Sequence, residues 1–134
     1  HQYLLHAGLC KNWGYERLHE YYSHLANDEM QHSAGLVHHI LYLDGTPEME
    51  RLESVTHGKD VTALFRADLE FEREDVELLR TAIAHCATVG DFTTRHLLEH
   101  MLEDTEGHID WFETRLRTID QVGLERFLSE QIKK

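Results

Sequence analysis

The chain has one proline, Pro47, and eight glycines in 134 residues. With so few breakers, long stretches are free to stay helical. No apolar run approaches the roughly 20 residues that cross a bilayer, so no membrane segment is expected. No secretory signal pattern is visible. Cysteine is scarce. Cys10 and Cys86 lie far apart in helical patterns and read as small, buried, reduced thiols, which suits a reducing cytoplasmic setting. Basic residues are outnumbered, 13 against 25 acidic, for a formal net charge of -12. That excludes nucleic acid as an expected partner, since phosphate contacts need clustered Lys and Arg. It suits a surface that gathers cations.

What is present is helix. The length suffices for one compact domain over residues 1–134. The chain opens on His1 with residues that already read as helix, so its first helix is taken as incomplete. Residues 1–12 carry Tyr3, His6 or Ala7, and Cys10 on one face, and Trp13-Gly14 ends them. A second helix is expected from about Tyr15 to Leu43, ended by Asp44-Gly45-Thr46-Pro47. Residues 44–59 form a long connection. A third helix, 61–88, is capped by Asp60 and carries the stripe Val61, Phe65, Asp68, Glu72, Leu79, Ile83, Cys86. Val89-Gly90-Asp91 breaks it. Asp91 caps a fourth, 92–119, with Leu98, Met101, Thr105, His108, Phe112 and Ile119 on its stripe. Gly123 separates a short last helix, 124–132. Long helices with short turns at two joints and one long crossover specify an all-α four-helix bundle.

The second helix carries the most informative pattern. Its seam steps Leu18, Tyr22, Leu25, Glu29, His32, Leu36, Ile40, Leu43, so Glu29-x-x-His32 interrupts an apolar stripe at mid-helix. Residues three apart face the same way. A buried carboxylate is costly unless it is paired or bound to a metal. Glu72 on the third helix, with Asp68 one turn before it, and His108 on the fourth also fall at mid-stripe. A single such residue is ordinarily a hydrogen-bonded core group, and a plain helical interaction module with satisfied buried polars is the bland alternative. Four on three helices point to a metal centre. Di-iron bundles use one Glu from each of two helices and Glu-x-x-His from each of the other two. Glu29, His32, Glu72 and His108 fill four of those places. A helix-one Glu would precede His1. The place three residues before His108 holds Thr105, while Asp104 lies near that face and Glu106 points about 100° away. The site is thus weakened, adapted through Asp104, or vestigial.

The stretches Gln2–Ala7, Lys11-Asn12-Trp13-Gly14, Asp28-Glu29-Met30-Gln31-His32, Ile40–Pro47, Glu106–Trp111 and Gly123-Leu124 to Gln131-Ile132 resemble the bacterioferritin family across essentially the whole chain. The resemblance implies a ferritin-like bundle with a short fifth helix. It also implies iron storage in a hollow shell of twenty-four subunits built from two-fold dimers, with a di-iron ferroxidase centre that oxidises Fe(II). On the family pattern Glu29 bridges the irons, His32 ligates one, and Glu72 and His108 ligate the other; the second bridging Glu falls at Thr105. Met30, one step round the helix from Glu29, matches the methionine that holds haem b between paired subunits, where an axial thioether favours the reduced state. A ferredoxin is the implied electron donor. Subunits lacking a complete ferroxidase site co-assemble with competent ones, so a non-catalytic shell and haem subunit beside a sister chain is the alternative. Tyr3 reads either as a redox-active phenol or as core. His24 and Asp28 read as an inner-wall iron site or a solvated pair. His96 and His100 are a weaker chelating pair, and Trp13 and Trp111 read as packing.

Overall fold

The computed structural model describes residues 1–48 and 58–133. Five helices follow in order: α1 Gln2–Asn12, α2 Glu16–Tyr42, α3 Val61–Val89, α4 Phe92–Val122 and α5 Leu124–Ser129. No strand occurs among the described residues. The expected boundaries hold to within a residue or so at most ends. α4 runs one turn further than expected, and α5 stops at Ser129 instead of 132. Residues 49–57 of the expected crossover lie outside the described residues.

Several helix ends have a local cause. Asp60 accepts the Ala63 N–H at 2.8 Å and caps α3; Asp91 accepts the Thr94 N–H at 3.1 Å and caps α4. Gly90 takes a left-handed φ of 75°, which lets Asp91 N–H reach back to the Cys86 carbonyl at 2.9 Å and closes α3. Gly14, at φ 90°, does the same for α1, with Tyr15 N–H on the Cys10 carbonyl at 2.9 Å. At the end of α2 the left-handed place is filled by Asp44, at φ 63°.

The chain divides into two compact units, His1–His57 with Glu125–Lys134, and Gly58–Leu124. In the first, α1 and α2 form a helical hairpin. Tyr3 and His6 of α1 lie against Tyr22 of α2, with ring centroids 5.9 and 5.5 Å apart. His19 Nδ1 donates to the Ala7 carbonyl at 2.9 Å, which ties the two helices. The chain after α5 returns to α2. Arg17 N–H donates to the Gln131 carbonyl at 3.0 Å, and Lys133 Nζ meets Glu20 Oε1 at 2.8 Å. The Lys133 ammonium holds the Glu20 carboxyl below its ordinary range, and Glu20 raises Lys133 in turn. Both groups are exposed, so this pair adds little stability.

The seam expected on α2 is only half buried. Leu18, Tyr22 and Leu25 are inaccessible, but Leu36 and Ile40 are 36% exposed and Leu43 is 53% exposed. α1 pairs Tyr3 with Tyr22, so it spans only the first part of α2.

The second unit is the antiparallel hairpin of α3 and α4, and its interior is layered. Leu79, Cys86, Leu98 and Met101 pack together near the turn. At the far end Phe65 meets Trp111 edge-on at 5.4 Å and Phe112 at 5.8 Å, and the Arg115 guanidinium stacks over Trp111 at 4.6 Å. Between these apolar layers lie Glu72, Thr105 and His108, and Asp68 is buried at the level of Phe112.

Truncating the far apolar layer with Phe112→Ala should cost about 3–5 kcal/mol. Gly90→Ala, which forces a Cβ into the left-handed region, should cost about 1 kcal/mol. Thermal unfolding at one fixed protein concentration would check both, and equal losses from the two substitutions would contradict this account.

Candidate metal centre

The polar layer follows from register. α3 and α4 run antiparallel from the turn at Gly90, so residues equally distant from it face each other. Glu72 therefore stands opposite His108. Three residues nearer the turn, Asp75 stands opposite Thr105. His108 Nδ1 lies 3.3 Å from Glu72 Oε1, with the Glu72 side chain fully inaccessible and His108 nearly so. Thr105 Oγ1 donates to its own helix, to the Met101 carbonyl at 2.9 Å, and stands 3.5 Å from Asp75 Oδ2.

The 3.3 Å separation is informative. A charge-assisted N–H to carboxylate bond settles at about 2.7–2.9 Å. Two donors bound to one ion at about 2.1 Å each lie about 3.0 Å apart at a right angle and about 3.4 Å apart at a tetrahedral angle. Glu72 Oε1 and His108 Nδ1 thus have the spacing of neighbouring ligands on one metal. Carboxylate oxygen and imidazole nitrogen together suit Fe(II) and similar first-row ions. The donor set fits iron.

α2, in the other unit, presents the remaining expected residues. Glu29 and His32 are half-buried and share a face of the helix; Met30, between them, is 64% exposed. The structure thus brings Glu72 and His108 together directly, and it carries Glu29, His32 and Met30 on α2. Asp68 is buried one turn below Glu72. Asp104 is half-buried and Glu106 exposed, as its helical angle requires. Tyr3 is buried in the α1–α2 core. His24 Nε2 lies 3.4 Å from Asp28 Oδ2 in a largely exposed pair, and His96 and His100 are both exposed. Trp111 packs as expected. Sequence reading did not single out Asp75, which lies one step off the apolar stripe and contacts Thr105. Its equal distance with Thr105 from Gly90 was the available signal.

A ferritin-like domain family matches residues 1–122. The chain belongs to the ferritin family. It is 37% identical over 133 residues to a bacterioferritin of Mycobacterium avium, covering 99% of this chain and 84% of that one. Against a Streptomyces coelicolor bacterioferritin the figure is 39% over 133 residues, covering 99% and 80%, and against a Pseudomonas aeruginosa bacterial ferritin it is 38% over 132 residues, covering 98% and 85%. The five helices are those of a ferritin-like four-helix bundle with a short C-terminal helix.

If Glu72 and His108 share an ion, Zn(II) should raise the melting temperature by several degrees, since an excess of about 100 times Kd adds about 2.7 kcal/mol. Glu72→Gln, which keeps the shape and a hydrogen-bonding group at that place, should abolish that rise. An unchanged metal-induced shift in the variant would rule the pair out as ligands.

Proposed function

We propose that the protein stores iron as a bacterioferritin-type subunit and oxidises Fe(II) within its bundle. Glu29 and His32 of α2 act with Glu72 and His108 of α3 and α4, Glu29 bridging two ions as in the family pattern. The observation that carries this reading is the inaccessible Glu72–His108 pair with donor atoms 3.3 Å apart. Fe(II) is the substrate. Two ions each give up one electron, and the pair reduces oxygen to peroxide or peroxide to water. The chain's part is to hold both ions in one geometry, to supply carboxylates that stabilise the ferric product, and to keep the apolar layers on either side dry. The ferric ions then pass into mineral within a shell of twenty-four subunits.

Met30, with the same residue of a second copy across a two-fold axis, would hold haem b, which would supply one-electron transfer there. Its 64% exposure leaves the thioether available to a partner. Leu4, at 59%, and Leu41, at 56%, are further large apolar side chains exposed in the single chain, as a self-associating subunit would have them. The haem would pass electrons from a ferredoxin inward to release stored iron. A cytoplasmic location belongs to the same reading, and no described helix is long and apolar enough to cross a membrane.

One observation favours a second reading, a shell and haem subunit that relies on a catalytic sister chain. Buried Thr105 stands where the bundle pattern asks for Glu, and its hydroxyl is committed to the Met101 carbonyl. Stopped-flow absorbance after mixing Fe(II) with the pure homo-oligomer separates the two. The first reading expects a rapid phase saturating near two irons per subunit, and only slow, unsaturating oxidation would establish the second. In either case Met30→Leu should abolish haem binding, read from the Soret band of the reconstituted oligomer. Full retention of haem would contradict the assignment of Met30.

A further inference from the structure

We infer that Asp75 is an iron ligand, and that it restores from α3 the carboxylate which α4 lacks at Thr105. This rests on the di-iron reading above and adds a residue to it. Three observations support it. The first is register: Glu72-x-x-Asp75 on α3 faces Thr105-x-x-His108 on α4, so each rung of the hairpin pairs one carboxylate with one residue of the expected Glu-x-x-His motif. The second is contact. Asp75 Oδ2 lies 3.5 Å from Thr105 Oγ1, at the tip of the residue that fails to supply a carboxylate. Thr105 is fully buried and Asp75 half-buried, so this oxygen sits at the wall of the polar layer.

The third is spacing. Two rungs three residues apart are separated by about 4.5 Å along the helices. Metal pairs that act together stand about 3.5–4 Å apart. An ion paired with the one at Glu72 and His108 therefore lies within reach of a carboxylate one turn along α3, where Asp75 stands. Asp is one methylene shorter than Glu, but it starts from the facing helix and does not have to cross from α4. In this arrangement Thr105 is no defect. Its small side chain, folded back onto Met101, leaves room for the carboxylate arriving from α3, and a Glu at both places would crowd two like charges at one level. Asp75 thus replaces Asp104 as the adapting carboxylate.

The test is a crystal of the assembled protein soaked in Zn(II), which binds without redox chemistry, read by anomalous scattering at the zinc edge. In the wild type two zinc ions per subunit should appear, the second within about 2.0–2.2 Å of an Asp75 carboxylate oxygen. Asp75→Asn should retain the ion at Glu72 and His108 and lose the second, with at least a tenfold loss in its affinity by calorimetric titration. Asp75→Asn combined with Thr105→Glu should recover the second ion with the carboxylate now on α4. That rescue separates ligand loss from misfolding, and Glu106→Gln, an exposed change on the same helix, should bind as the wild type does. A wild-type crystal with zinc at Glu72 and His108 but Asp75 unbound, or an Asp75→Asn isotherm equal to the wild type's, would overturn the role of Asp75 alone. Absence of zinc from Glu72 and His108 would overturn the iron-binding reading and this inference together.

Discussion

The constraint on which the structure turns is the cost of placing a carboxylate beside an imidazole in the dry middle of a helical hairpin. Glu72 is wholly inaccessible and His108 nearly so. The distance between them is longer than a strong ion-pair hydrogen bond should be. At 3.3 Å the two groups touch directly and also have the spacing that two ligands of one ion would need. Burial then works in the opposite sense from an ordinary fold. On the proposed reading it spends stability so that two donors are fixed before their ion arrives, which avoids reorganisation on binding.

The layers on either side make that cost bearable. Toward the turn, Leu79, Cys86, Leu98 and Met101 form an apolar plug; away from it, Phe65, Trp111 and Phe112 form an aromatic one. Both lie on the same two helices as the polar rungs. A change of one residue in register would swing Glu72 and His108 off the facing surfaces, because each step along a helix turns a side chain by about 100°. The tight turn at Gly90 and the cap at Asp91 set that register, so ordinary turn chemistry nearly thirty Å of helix away, at about 1.5 Å per residue, determines whether the donors meet.

Most of the fold was legible in the sequence, because several of its helix ends are set by local chemistry. Asp60 and Asp91 act as the caps their positions suggest, and Gly14 and Gly90 take the left-handed conformation that ends a helix. The stripes on α3 and α4 are buried almost residue for residue. The stripe on α2 was over-read. Periodicity shows that a helix face calls for cover but not what covers it, and Leu36, Ile40 and Leu43 are open where the pattern suggested core. The proposed metal ligands were legible to the extent that they sat on apolar stripes. Glu29, His32, Glu72 and His108 stand out against Leu and Phe neighbours, whereas Asp75 has Glu74 before it and Glu77 soon after and reads as one more solvated acid.

That miss has a general cause. A helical stripe is a property of one helix, but a ligand set is a property of two helices in register. Reading α4 alone, Thr105 is a lost ligand. Reading α3 alone, Asp75 is surface charge. Only the antiparallel pairing, in which residues equally far from Gly90 meet, turns the two deviations into one exchange. On the proposed reading the hairpin keeps a carboxylate at that level and moves it from one helix to the other. Because the metal responds to the position and charge of oxygen atoms and not to the helix that supplies them, such an exchange can preserve a site while erasing the linear motif by which it would be recognised.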